Sequence, residues 1–227
     1  MRDELPPTSR LSVDVISDVM CPWCFIGKRR LEKAASQTDI PLDIRWRPYQ
    51  LDPTLPPEGK DRSLYLAEKF GSAERARSLY VDVRAAGAQE AIPFDFDAIE
   101  VSPNTLDAHR LIRWSASAGV QDVIVEALFN AYFIEGRRLN EPETLTEIAG
   151  NAGMDRDIVS NLLGSGADRE LVEEEIALAR QMGVSGVPTF VVGNRYVVVG
   201  AQAPEVLVEA FNAALAASHN ANDNGPA

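Results

Sequence analysis

Apolar and polar positions follow three successive rhythms along this chain. Leu11 to Ser17 is a short run rich in Val and Ile and bounded by polar residues, which predicts a strand. Asp18-Val19-Met20-Cys21-Pro22-Trp23-Cys24 follows, and Phe25 to Ser36 then takes helical spacing. Pro22 suits a first helical turn, where its missing N–H is no loss. Leu42 to Arg47 alternates apolar and charged residues with period two, a second strand. Pro48 to Asp61 carries four prolines and reads as a connecting loop. From Arg62 the pattern is helical for about a hundred residues. Gly71 and Gly87 are expected to end the first two helices. Ser102-Pro103 is expected to open the third, and Gly119 to end it. Further helices are predicted over Gln121–Glu135, Glu141–Asn151, Arg156–Leu163 and Asp168–Met182, the last stopped by Gly183. Period two then returns in Thr189–Val192 and Tyr196–Val199, joined by the hairpin signal Gly193-Asn194-Arg195. Pro204 opens a last helix to about Ala217, and 218–227 is rich in Asn, Gly and Pro and is expected to be a disordered tail.

The order is therefore βαβ, a long helical block, then αββα. That predicts an α/β protein with a thioredoxin-like fold, built from 11–61 and 168–217, and a helical domain inserted over 62–167. Composition changes this picture little. Hydrophobic residues make up 45% and charged residues 25%, as in an ordinary globular protein. No apolar stretch approaches the roughly 18 residues of a membrane span. The segment MRDELPPTSRLSVDV lacks an apolar signal core, so export by that route is not expected and a cytoplasmic location is. A net charge of −12 argues against nonspecific binding to nucleic acid or an anionic membrane.

The cysteine count changes it a good deal. There are two, Cys21 and Cys24, with Pro22 and Trp23 between them. A disulfide across so short a loop stabilises a fold weakly, so a chemical role is the natural reading. Disulfide exchange needs an exposed attacking thiolate and a second thiol close enough to resolve the mixed disulfide. Cys21 falls at a predicted helix N-terminus, where unpaired N–H groups and the helix dipole favour a negative sulfur. Cys24 lies one turn inward. Cys21 is thus assigned as nucleophile and Cys24 as resolving thiol. The competing reading, half of a zinc site, needs further ligands, and only His109 and His219 exist to join them. No metal is expected, nor an organic cofactor, because the sulfur pair itself carries the electrons.

Gly186-Val187-Pro188-Thr189 leads into a strand. A cis Val187–Pro188 bond would hold the chain against the cysteines and offer Val187's backbone to an extended substrate; a trans proline at a strand start is the alternative, and chemistry alone leaves the two even. Pro22 and Trp23 are candidates for the substrate groove, although Trp23 could equally pack against the inserted helices. Asp18 could relay a proton or cap the helix. Asn104 and Thr105 begin a helix that could face the cleft, and His109 on that helix is either structural or catalytic. Arg29-Arg30 and Glu173-Glu174-Glu175 read as solvated helix surface.

Cys21-Pro22-Trp23-Cys24 on a βαβ start, the helical insertion and Gly186-Val187-Pro188-Thr189 before a hairpin resemble the DsbA-like branch of the thioredoxin superfamily. The stretches Cys21 to Glu32, Asn104-Thr105-Leu106-Asp107-Ala108-His109-Arg110 and Gly183 to Pro188 resemble its cytoplasmic FrnE-like subgroup. The resemblance runs from about Leu11 to Ala217. It implies a disulfide reductase or isomerase, with Pro188 in cis, acting on protein or small-molecule thiols and disulfides as a monomer or homodimer. The same branch contains 2-hydroxychromene-2-carboxylate isomerase and the kappa-class glutathione transferases, which carry serine at the position of Cys21. Their glutathione-binding Ser-Asp-Arg is matched here only by Ala201-Gln202-Ala203. A glutathione-dependent isomerase or transferase is therefore the alternative, with glutathione as co-substrate. A chaperone-like binding module with incidental thiols is a third.

Overall fold

The structure, a computed structural model, describes residues 10–223, with 73 and 218–223 described by backbone alone. Strand β1 (Leu11–Ser17), helix α1 (Pro22–Ser36) and strand β2 (Leu42–Pro48) form the opening unit. The insertion runs through β3 (Lys60–Asp61), α2 (Arg62–Phe70), α3 (Ala73–Gln89), β4 (Val101–Ser102), α4 (Leu106–Ser117), α5 (Gln121–Phe133), α6 (Pro142–Asn151) and α7 (Arg156–Ser165). Helix α8 (Arg169–Gln181), strands β5 (Thr189–Val192) and β6 (Tyr196–Val199), and helix α9 (Pro204–Asp223) close the chain.

The main sheet has the order β2-β1-β5-β6. β1 and β2 pair in parallel, with Val13 opposite Ile44 and Val15 opposite Trp46, as a crossover through α1 demands. β5 runs antiparallel to β1, and the hairpin lays β6 antiparallel to β5. Alternation decides which side chains go where. Val13 and Val15 point into a core shared with Phe25 and Ile26 of α1 and with Leu207 and Phe211 of α9. Ile16 points to the other face, against Tyr49 and Ala179 of α8. The sheet is therefore covered on both sides, and α1 is fixed with its first turn at the end of β1.

The first core continues into the insertion without a break. Phe25 stacks on Phe129 with ring centroids 5.0 Å apart and planes 9° apart, and Phe94 and Phe133 meet the same ring edge-on and stacked. Charge ties the same two parts together. Lys28 is 2% exposed and sits 3.1 Å from Asp122 and 3.2 Å from Glu126, with Glu32 completing its shell. Arg29 pairs with Glu126, while Arg30 and Lys33 share Glu90 at 2.8 and 2.6 Å. The expectation that Arg29 and Arg30 are solvated surface is thus corrected, because α5 and the end of α3 bring carboxylates to them. Glu175 likewise pairs with Arg113.

Other departures have local causes. Gly87 does not end a helix; α3 runs on to Gln89, and the glycine is there because a Cβ would lie 2.4 Å from the Phe94 ring. Ser102 does not cap α4 but pairs with Lys60 in the small antiparallel sheet of β3 and β4. The helix starts at Leu106, whose N–H donates to Asn104 Oδ1 at 3.0 Å. Helix α9 continues past Ala217 to Asp223, since no proline interrupts it before Pro226; residues 224–227 of the expected tail lie outside the described residues.

Candidate active site

Cys21 is the N-cap of α1, in extended conformation (φ −94°, ψ 112°), and Pro22 is the first helical residue. The Cys21 N–H donates to the Asp18 carbonyl at 3.0 Å, and the Cys21 carbonyl accepts from the Cys24 N–H at 3.0 Å, so the Cys-Pro-Trp-Cys segment closes into the helix's first turn. Both cysteines are free thiols. Cys21 is 4% exposed at the edge of a groove, and Cys24 is fully enclosed behind it. Burial pushes the Cys24 thiol well above the usual cysteine range, and the hydrogen bond and charge of Cys21 push it further; the Ser17 hydroxyl and the Asp18 N–H oppose this more weakly. One sulfur thus borders the groove while the other lies enclosed beneath it.

The Val187–Pro188 peptide bond is cis. The Cys21 thiol donates to the Val187 carbonyl at 3.5 Å. Val187's N–H has no protein partner among the described residues, whereas Pro188's carbonyl accepts from Gly200 at 2.8 Å. The loop lies hard against α1. A Cβ on Gly27 would come 2.8 Å from Pro188 Cγ, so glycine at that position lets the loop approach the cysteines. The groove beside Cys21 has a volume of about 440 Å³. Pro22, Trp23 and Val187 form one wall, and α2 and α3 supply the other through Arg62, Leu66, Leu79 and Tyr80. Trp23 is 38% exposed, so it borders the groove rather than packing away under the insertion.

A model of the DSBA-like thioredoxin domain matches residues 12–212 of the sequence. The chain belongs to this family. Among solved structures, a probable DsbA oxidoreductase from Streptomyces coelicolor is similar over 96% of this chain and 93% of its own, at 29% identity and a TM-score of 0.84. A 2-hydroxychromene-2-carboxylate isomerase shares the fold at 21% identity and TM-score 0.64, over 94% of this chain and all of its own. The cytosolic disulfide reductase DsbM from Pseudomonas aeruginosa, in a structure with GSH, shares it at 18% identity and TM-score 0.59, over 93% of this chain and 99% of its own. The family read from the cysteine motif and the Val187-Pro188 loop is the one the match gives.

Other residues of this DSBA-like chain sit around the motif in distinct roles. Asp18 is fully buried; its carboxylate accepts from the Leu51 N–H at 2.7 Å and the Met20 N–H at 3.4 Å. It also lies 3.4 Å from His109 Nε2 on α4, so it braces the turn before Cys21 and ties it to the insertion. His109 itself borders a second cavity of about 330 Å³, with Trp46, Arg113 and Gln121, and not the groove. Asn104 is a fastener, donating to the Leu55 carbonyl at 2.7 Å and accepting from Gln50 at 3.1 Å. Thr105 is buried, and its carbonyl accepts from the His109 N–H at 3.0 Å to begin α4. Neither Asn104 nor Thr105 borders the groove. At the start of α9 the Ala201 carbonyl is taken by Arg30 and the Gln202 side chain by the Val199 carbonyl. Cys21 and Cys24 join no group of three or more His, Cys, Asp or Glu among the described residues. None of the described helices is long and apolar enough to cross a membrane.

Sequence reasoning missed the far wall. Arg62, Tyr65, Leu66 and Lys69 occupy i, i+3, i+4 and i+7 of α2, one face of a helix, and all four border the groove. That spacing was readable. Its orientation toward Cys21 was not.

Proposed function

We propose that this chain is a thiol–disulfide oxidoreductase of the disulfide reductase or isomerase type, with Cys21 as nucleophile and Cys24 as resolving thiol. The observation that carries the reading is the arrangement of the two sulfurs: Cys21 caps α1 at the groove's edge, under the Val187 carbonyl, and Cys24 is buried directly behind it. The likeness to the Streptomyces coelicolor protein over nearly both whole chains supports it.

The steps follow from the geometry. Cys21, once it has given up its proton, attacks one sulfur of the substrate disulfide. The Cys21–substrate bond forms as the substrate's S–S bond breaks, and one thiolate leaves. Cys24 loses its proton to the leaving thiolate or to water and attacks Cys21. The Cys21–Cys24 bond forms, the second thiolate departs, and two electrons have passed from the protein to the substrate. The open N–H of Val187 and its carbonyl can pair with an extended peptide alongside Cys21. In an isomerase cycle the substrate's own second thiol displaces Cys21 before Cys24 does. A cytoplasmic setting suits this chemistry, because reducing conditions keep the pair as thiols. The chain carries its own attacking sulfur, so glutathione enters as a substrate rather than as the nucleophile.

The test is insulin reduction and refolding of a scrambled disulfide protein with Cys21→Ser. Both activities are expected to fall to the uncatalysed background. Rates equal to the parent protein would overturn the proposal.

A further inference from the structure

Among the described residues three cations are buried, and two of them have obvious partners. Lys28 sits among three carboxylates. Arg110, fully enclosed, bonds Asp107 at 2.8 Å and the carbonyls of Leu162, Leu163 and Ala167. Arg62 is different. It is 6% exposed, yet none of the ion pairs among the described residues includes it. Its guanidinium donates to the hydroxyls of Tyr132 and Tyr80, each at 2.9 Å, and lies against both rings at 5.9 and 5.4 Å. Those contacts fix its position without neutralising it. A desolvated charge with no counter-ion is costly, and a guanidinium presents a planar fork of N–H donors that fits a carboxylate.

Arg62 borders the same groove as Cys21. So does Lys69, two turns along α2, whose ammonium donates to the Tyr65 hydroxyl at 2.6 Å; Asp52 acts on it electrostatically, but it forms no ion pair among the described residues. Asp82 is the one carboxylate on the groove's lining, and it pairs with neither cation. In a chain with a net charge of −12, the wall facing the attacking sulfur therefore carries two cations against one acid.

We propose that Arg62, supported by Lys69 farther along the same wall, forms a carboxylate subsite that selects acidic thiols and disulfides for exchange at Cys21. The inference rests on the thiol–disulfide reading above and names its substrate class. Between the cations the wall is largely apolar (Leu66, Leu79, Val83), so the ligand is a small molecule or peptide end with one carboxylate toward Arg62 and its sulfur toward Cys21. Glutathione, with two carboxylates, is a member of that class.

The experiment mixes the prereduced protein with three disulfides of similar size: 3,3′-dithiodipropionate (anionic), 2-hydroxyethyl disulfide (neutral) and cystamine (cationic). Loss of free Cys21 and Cys24 is followed by alkylation and mass measurement in a single turnover. Each rate is divided by that disulfide's rate with a small neutral dithiol. The anionic substrate is expected to lead the neutral one by about tenfold, as a single charge-assisted contact supplies. Arg62→Gln should bring that ratio close to one, Arg62→Lys should keep most of it, and Lys69→Gln on the exposed side should lower it by a smaller factor. A parent protein blind to substrate charge, or an Arg62→Gln variant whose ratio is unchanged, would overturn the subsite. Failure to consume any of the three disulfides would instead overturn the thiol–disulfide reading itself.

Discussion

Helix α1 divides two regions that treat charge and sulfur in opposite ways. On its core side, Lys28, Arg29, Arg30 and Lys33 each meet a carboxylate, and Cys24 is sealed among Phe25, Ile26 and the sheet. On its groove side, Cys21 lines the groove at 4% exposure, and the facing wall holds Arg62 and Lys69, neither in an ion pair among the described residues, with Asp52 acting on Lys69 from a distance. The difference shows which charges belong to the fold and which are left for a ligand. Matched pairs between α1 and the insertion join the two parts of the fold. Unmatched charge on the groove wall serves no such purpose.

The largest effect expected from this contrast concerns the two sulfurs. Because burial, the largest influence on the Cys24 thiol, holds it above its usual range and persists when Cys21 is bonded to substrate, its reactive thiolate is a small fraction at neutral pH. That fraction grows about tenfold per pH unit below the thiol's own pKa. Resolution of a preformed Cys21 mixed disulfide should therefore speed up about tenfold per unit between pH 6 and 8, as read by stopped-flow release of a chromogenic thiol. A flat profile would mean that Cys24 is not held protonated and that the two sides of α1 do not differ as described.

The smaller effect concerns the matched side. Burial tends to raise the Glu90 carboxyl, but the hydrogen bonds and charges of Lys33 and Arg30 outweigh it and hold the group below its ordinary value of 4.5. Glu126 is held down in the same way by Arg29 and Lys28. A carboxyl depressed in the folded state contributes stability above the unfolded value and loses it as pH falls through the lower folded one. Urea melts should thus show stability steady down to about pH 5 and falling below 4.5, and Glu90→Gln should cost about 1–2 kcal/mol at neutral pH while leaving little of its share to lose in acid. Equal acid sensitivity in parent and variant would break the assignment of these pairs to the fold.

How much of this was legible in the sequence depended on whether a feature is local. The strands β1, β2, β5 and β6 and the start of α1 follow from period and from Pro22, and the structure gives them within a residue or so of the expected bounds. The cysteine pair and the Pro188 loop were visible as motifs. Gly87 was misread because a glycine that ends a helix and one that admits a ring from elsewhere look alike until Phe94 is in place. Ser102-Pro103 carried a sound helix-start signal, but pairing with Lys60 claimed Ser102 for a strand of two residues, too short to show any period. Asn104 was read as able to face the cleft and His109 as structural or catalytic; neither borders the groove, and their partners, Leu55 and Asp18, come from distant parts of the chain. The cations of α2 were hidden for the strongest reason: nothing in a sequence says which charge will lack a counter-ion.

Trapping gives the most direct view of how the two sulfurs divide their work. Cys24→Ser, prereduced and mixed with a substrate disulfide, should accumulate a stable adduct that peptide mapping by mass spectrometry places on Cys21. Finding the parent's cysteines joined in a bond no reductant opens, or the variant's Cys21 unmodified while substrate is consumed, would contradict the account.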